Sequence, residues 1–125
     1  MILDTSALSD FLREDPSIRR YVTEARVLCL PVIVLGEYLY GLKASQHRTR
    51  LEQKIQSLLD DVSVLIVEED TAGHYADIRH ELKKAGTPIP ENDIWIAALV
   101  RQHHLALLSR DKHFDSVEGL HRISW

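Results

Sequence analysis

With a single cysteine, this 125-residue chain has no means of forming an internal disulfide or a cysteine-based zinc site. Cys29 lies in the apolar run Val27-Leu28-Cys29-Leu30, the setting of a buried structural thiol. No apolar stretch approaches the roughly 20 residues needed to cross a bilayer. The start Met1-Ile2-Leu3-Asp4 lacks the basic segment and long apolar run of a signal peptide, so a cytoplasmic location without membrane contact is expected. An excess of basic charge is also missing: 15 Lys and Arg stand against 19 Asp and Glu, a formal net charge of −4, which argues against coating nucleic acid through a broad basic face. Internal repeats and low-complexity segments are absent. The remaining composition, 45% hydrophobic and 27% charged, is that of an ordinary folded protein, and the length suits one domain over residues 1–125.

Several motifs are absent as well. The seven histidines include the adjacent His103-His104 but no His-Glu-x-x-His, so the helical spacing of zinc ligands is missing, and solvated or helix-end roles are expected for them. Gly36 and Gly41 have the glycine spacing of a P-loop, yet Leu42 and Lys43 stand where Lys and Ser or Thr are required. Asp4-Thr5-Ser6 lacks the second aspartate of a haloacid-dehalogenase start, and no lysine follows a late strand as a receiver domain requires.

What is present is a regular alternation. Met1-Ile2-Leu3 reads as a buried strand feeding a helix that carries Ala7 to Leu12, capped by Thr5 or Ser6. Asp15-Pro16-Ser17 breaks the chain and starts a helix to about Ala25. Val27–Leu30 is a second strand. Pro31 opens a helix to about Ser45, with Leu35, Tyr38, Leu39 and Leu42 on one face. Arg48–Leu59 is amphipathic, the β-branched Val62–Val67 is a third strand, and Asp60-Asp61 is a solvated junction between them. A helix from Glu69 ends at Lys83-Lys84-Ala85-Gly86, with cations in its last turn and a glycine suited to a left-handed cap. Ile94–Val100 is apolar on nearly every face, so its helix should be buried on most sides, with Asp93 in its first turn. Leu105–Leu108 is a fourth strand, and His121–Ser124 a fifth at the sheet's edge. Strands alternating with helices imply an α/β fold around a parallel sheet.

In such a sheet, ligands bind beyond the carboxyl ends of the strands where the strand order reverses. Asp4 and Asp111 both follow short apolar strands and emerge side by side if those strands are neighbours. Asp93 at a helix start and Glu37 in the helix after the second strand close the ring. Taken singly, Asp4 is equally suited to capping a helix, Asp93 to favouring its helix dipole and Asp111 to a polar turn. Glu37 is more telling, because an unpartnered charge in a largely apolar helix is expensive. Clustered carboxylates require a counter-charge, and hard oxygen ligands suit Mg²⁺ or Mn²⁺. Two such ions about 3.5–4 Å apart serve in-line displacement at a phosphodiester without a nucleophilic side chain. Setting these four acids aside leaves 15, equal to the Lys and Arg count, so the proposed site holds the chain's whole excess of negative charge. Ser6 and Asn92 are candidates for orienting ligands or water, ahead of Thr5 and Ser109. Arg110 and Lys112 are candidate RNA phosphate contacts, with Lys43, Arg48 and Arg50 further away in sequence. Leu8, Phe11, Leu12, Tyr38 and Tyr40 pack a core or, in part, form a dimer or partner groove.

Asp4-Thr5-Ser6, Gly36-Glu37, Asn92-Asp93-Ile94-Trp95-Ile96-Ala97-Ala98 and Ser109-Arg110-Asp111-Lys112-His113-Phe114 together resemble the motif set of PIN-domain ribonucleases, most closely the VapC-type toxins. The resemblance spans the chain from residue 4 to the Ser109–Phe114 segment. It implies a three-layer fold with a central parallel sheet of four to five strands flanked by helices. It also implies Asp4, Glu37, Asp93 and Asp111 as the catalytic, metal-binding set, with Asp115 as understudy to Asp111. The implied cofactor is Mg²⁺ or Mn²⁺ and the implied activity endoribonucleolytic, on tRNA or rRNA. A homodimer silenced by a cognate VapB-type antitoxin is expected. A housekeeping PIN nuclease without an antitoxin and a non-catalytic RNA- or protein-binding module are the alternatives.

Overall fold

The structure, a computed structural model, describes residues 1–125. Its elements are β1 (Ile2–Leu3), α1 (Thr5–Leu12), α2 (Pro16–Glu24), β2 (Cys29–Pro31), α3 (Val32–Leu42), α4 (Arg48–Leu59), β3 (Ser63–Leu65), α5 (Glu69–Ala85), α6 (Glu91–His103), β4 (Leu107–Leu108), a 3₁₀ turn (Lys112–Ser116) and β5 (Arg122–Ile123). The strands form one sheet in the order β3-β2-β1-β4-β5, with every pairing parallel. Parallel neighbours need crossover connections: six helices supply those between β1 and β4 and flank the sheet, and the 3₁₀ turn lies in the link from β4 to β5. No helix is long and apolar enough to cross a membrane.

The chain steps outward from β1 to β2 and β3, then returns through α5 and α6 to place β4 on the other side of β1. The strand order therefore reverses between β1 and β4, where Ile2 pairs with Leu107 and Leu3 with Leu108. All four of these side chains are fully buried. Burial on both faces explains why the central strands are uninterrupted apolar runs rather than alternating ones. Around them pack Leu8, Ile18, Leu30, Val34, Ile55, Ile78, Ile96, Leu99 and Phe114, each fully buried. As its composition requires, α6 is enclosed on most sides: Ile94 and every residue from Ile96 to Val100 are buried.

The strands are shorter than the apolar runs that announce them. Val62–Val67 contributes only Ser63–Leu65, leaving Ile66 and Val67 exposed, because β3 is an edge strand with one neighbour and its ladder ends where β2 turns into α3. The second strand is displaced to Cys29–Pro31, its register set by Cys29 against both Ile2 and Ser63. Pro31 closes that strand and at the same time stands as the N-cap of α3, which stops at Leu42 rather than Ser45. Within α3 the buried stripe is Val34, Tyr38 and Leu42, with Leu35 and Leu39 half-buried beside it. Leu8, Leu12 and Tyr38 belong to the core, whereas Tyr40 is 78% exposed. The cap of α1 is Asp4, not Thr5 or Ser6.

The end of α5 follows its sequence signal. Gly86 sits at φ +72°, and its N–H returns to the carbonyls of Leu82 and Lys83. No atom lies within 4 Å of where a Cβ would stand, so the penalty for a side chain there is purely conformational. Gly86→Ala is expected to destabilise the protein by about 1 kcal/mol, read from urea denaturation midpoints. An unchanged midpoint would mean that the left-handed cap does not persist in solution.

Candidate active site

The site is assembled at the switch point from the backbone outward. As β1 ends, the Asp4 N–H donates to the carbonyl of Leu108 at 3.1 Å, so the aspartate leaves the sheet against β4. Its Oδ1 accepts the Thr5 N–H at 2.7 Å and caps α1, while its Oδ2 accepts the Ser109 hydroxyl at 2.6 Å. Ser109 is fully buried, and its oxygen also accepts the Asp111 N–H at 3.0 Å. One hydroxyl thereby couples the carboxylate after β1 to the backbone of the acid after β4. Asp111 in turn accepts the His113 N–H at 2.9 Å and caps the 3₁₀ turn, which the buried Phe114 anchors to the core.

Glu37 reaches the same place from α3, and Asp93 from the first turn of α6. Asp4, Thr5, Ser6, Glu37, Asp93, Arg110 and Asp111 line a cavity of about 360 Å³ that contains no apolar side chain. Three buried oxygens, Thr5 Oγ1, Ser6 Oγ and Glu37 Oε1, have no hydrogen-bond partner. Orphaned buried acceptors are uncommon, and their concentration in one acid-lined cavity marks a place prepared for a ligand. The electrostatics agree. Burial raises the Asp4 pKa against the hydrogen bonds from Ser109 and Thr5, with the Asp111 charge adding to the rise. Burial and then the charges of Asp4 and Asp93 raise Glu37, with the neighbouring Thr5 hydroxyl opposing although the pair does not meet hydrogen-bond geometry at Oε1. Asp93 is pushed up to about 6 by burial and by the charges of Asp111 and Asp4, with His113 opposing. An all-oxygen, negatively charged donor set short of positive charge fits a hard divalent cation such as Mg²⁺ or Mn²⁺.

A consequence follows for the ion-free protein. The Asp93 pKa is about 6 in the folded state and near its ordinary value of 3.8 when unfolded, so the folded state holds the extra proton between those values. Stability is then greatest below about pH 4 as far as this group is concerned, and falls as pH rises to about 6, by roughly 1–2 kcal/mol. Asp4 and Glu37 shift in the same direction and reinforce the trend. Thermal melts in chelator across this range should show it. A melting temperature that climbs from pH 5 to pH 7 would contradict it.

The other residues singled out in the sequence separate. Ser6 lines the cavity with its orphaned hydroxyl. Asn92 is exposed and outside the cavity, because turning Asp93 inward in a helix turns its neighbour away. Arg110 lines the rim, where Asp10 Oδ2 holds its guanidinium at 3.0 Å beneath the ring of Trp125. Lys112 is exposed and does not reach the cavity. Asp115 points elsewhere: Arg122 clamps both its oxygens at 2.8 and 2.9 Å, and the same arginine holds the Ser109 carbonyl at 3.0 Å. Two residues carry more than their sequence signals suggest. Ser109 bridges two of the acids, and His113, whose only signal is its spacing from Asp111, sets its ring against Asp93 and Asp111.

A family model described as PIN domain matches residues 1–120. Ribonuclease VapC2 of Haemophilus influenzae is 31% identical to this chain over 127 residues, an alignment covering 99% of this chain and 96% of the relative. The tRNA(fMet)-specific endonuclease VapC of Shigella flexneri is 28% identical, with the same coverage of 99% and 96%. Among solved structures, VapBC-1 from nontypeable Haemophilus influenzae superposes with a TM-score of 0.85 at 27% identity, covering 99% of this chain and 96% of that one. A chain of DNA-bound VapBC2 from Rickettsia felis reaches a TM-score of 0.89 at 20% identity, over 99% and 97%, and so shares the fold.

Proposed function

This chain belongs to the PIN-domain family, and from that premise we propose that it is a divalent-ion-dependent endoribonuclease, the toxin of a type II toxin–antitoxin pair. The observation that carries the reading is the cavity at the β1–β4 switch point, where Asp4, Glu37, Asp93 and Asp111 converge around unpartnered oxygens.

In this reading the carboxylates of Asp4, Glu37, Asp93 and Asp111 hold Mg²⁺ or Mn²⁺. The ion supplies Lewis-acid charge stabilisation at the phosphodiester and makes water available as a nucleophile near neutral pH. The chain's own residues supply placement. Asp4 is fixed by its two hydrogen bonds, and Ser109 transmits that position to Asp111. The hydroxyls of Thr5 and Ser6 orient ligands within the cavity. Arg110, held by Asp10 at the rim, meets an RNA phosphate without sequence preference, and the exposed Lys112 adds charge as the strand leaves. Hydrolysis by water in this reading needs no side-chain nucleophile.

The substrate class to try first is tRNA, because a relative 28% identical over 99% of this chain bears the name of a tRNA(fMet)-specific endonuclease. The proposed partner is a VapB-type antitoxin, because chains of similar fold come from VapBC structures; the proposed working form is a cytoplasmic homodimer. Purified protein incubated with a tRNA pool is expected to cut it internally in Mg²⁺ or Mn²⁺ and to stop in chelator. Cleavage that survives chelation refutes the ion-dependent reading.

A further inference from the structure

Beside the four acids stands one nitrogen donor. His113 is placed by the 3₁₀ turn after β4, with its ring Nδ1 3.0 Å from Asp111 Oδ1 and 3.4 Å from Asp93 Oδ2. One oxygen from each aspartate and the His113 nitrogen lie within 4.8 Å of one another, close enough for a single ion to touch all three. The turn is held at its start and at its centre. Asp111 caps it by accepting the His113 N–H, and fully buried Phe114 pins the following residue to the core. The imidazole is 55% exposed at the cavity's edge, so its ring has room to turn without disturbing packing.

We propose that His113 is a nitrogen ligand of the ion held by Asp93 and Asp111, and that it gives this centre a preference for Mn²⁺ and similar imidazole-accepting transition ions over Mg²⁺. The inference rests on the ion-binding reading of the acid cavity and adds to it a residue and a selectivity. Nδ1 faces two carboxylates. To ligate an ion, Nδ1 would have to offer its lone pair, so the ring's proton would sit on Nε2 and any proton on Nδ1 would pass to solvent. Mg²⁺ favours oxygen donors and dehydrates reluctantly, whereas Mn²⁺ accepts imidazole more readily. A purely hydrogen-bonding histidine would leave the balance between the two ions unchanged.

Two readouts on the full-length protein test this. Pulsed electron paramagnetic resonance of bound Mn²⁺ should show ¹⁴N coupling in the native protein that disappears in His113→Gln, a variant that keeps a hydrogen-bond donor. Calorimetric titrations should show Mn²⁺ binding weakened by about tenfold in His113→Gln, while Mg²⁺ binding changes by less than about twofold. Mn²⁺ bound with no nitrogen coupling in the native protein, or coupling that persists in the variant, overturns the His113 assignment and leaves the acid centre standing. Failure of Mn²⁺ to bind the native protein at all overturns both. The native spectrum alone is decisive against the proposal if nitrogen is absent, even should the variant fold poorly.

Discussion

Asp93→Asn is expected to reduce divalent-ion-dependent RNA cleavage by about 10²–10³-fold, a loss typical of removing one charge-stabilising group from a preorganised site. The same substitution should make the ion-free protein more stable at neutral pH. Both effects come from one placement. Asp93 enters the cavity from the first turn of α6, and the charges of Asp111 and Asp4 together with burial raise its pKa to about 6. At pH 7 it is ionised against that opposition, and folding bears the penalty. Asparagine keeps the shape and removes the charge, so roughly 1–2 kcal/mol returns as stability, or several degrees in melting temperature for a chain of this size. A structural aspartate would behave in the opposite way, because its removal lowers stability and leaves cleavage intact. Single-turnover cleavage of a labelled RNA and thermal melts in chelator separate the two. Reduced cleavage with an equally reduced melting temperature would indicate damage to the fold.

Saturating Mn²⁺ is expected to raise the melting temperature of the native protein by about 10 °C over its value in chelator. The estimate follows from linkage: an ion present at about 100 times its dissociation constant stabilises by about 2.7 kcal/mol. For a domain of this length each kcal/mol moves the midpoint by about 3–4 °C. The structure supplies the reason for the size of the effect. Three of the acids have raised pKa values in the ion-free state, each through burial and in part through the charge of another acid of the site, and Glu37 Oε1 is buried without a hydrogen-bond partner. In the proposed reading a bound cation would relieve that repulsion and occupy the orphaned acceptor. In a protein carrying both Glu37→Gln and Asp93→Asn the increment should fall below about 3 °C, because two of the four carboxylates proposed to bind the ion are gone. An undiminished increment in that variant would locate the ion on another surface, such as the exposed Asp60-Asp61 pair.

The parts of the fold and cavity that could be read from the sequence are those encoded locally. Asp4 and Asp111 stand at the ends of apolar runs, and the β-α alternation implies a parallel sheet; the condition that brings the two acids together, the first and fourth strands being neighbours, is met where β1 and β4 pair. Glu37 was conspicuous as a charge in an apolar helix, and the Gly86 terminus followed from backbone conformation. Features set by tertiary contact were not legible. Strand lengths depend on where a neighbour's ladder ends, so Ile66 and Val67 have the residue types of a strand without being in one. The phase of α6 decides that Asp93 faces the cavity and Asn92 faces solvent, and adjacency in sequence hides that difference. Ser109 becomes a bridge only because β4 lies against β1, and Arg110 is held by Asp10 and Trp125, both distant in sequence. The His113 ring comes near Asp93 only through the 3₁₀ turn, which apolar periodicity does not announce.

That Asp4, Glu37, Asp93 and Asp111 act as one ion-binding centre is tested most directly by anomalous scattering from crystals grown with Mn²⁺. The expected result is a strong peak in the acid-lined cavity, about 2.2 Å from carboxylate oxygens of Asp93 and at least one further member of the set. An empty cavity in crystals of protein that cuts RNA in Mn²⁺, or a peak confined to acids elsewhere on the surface, would contradict it.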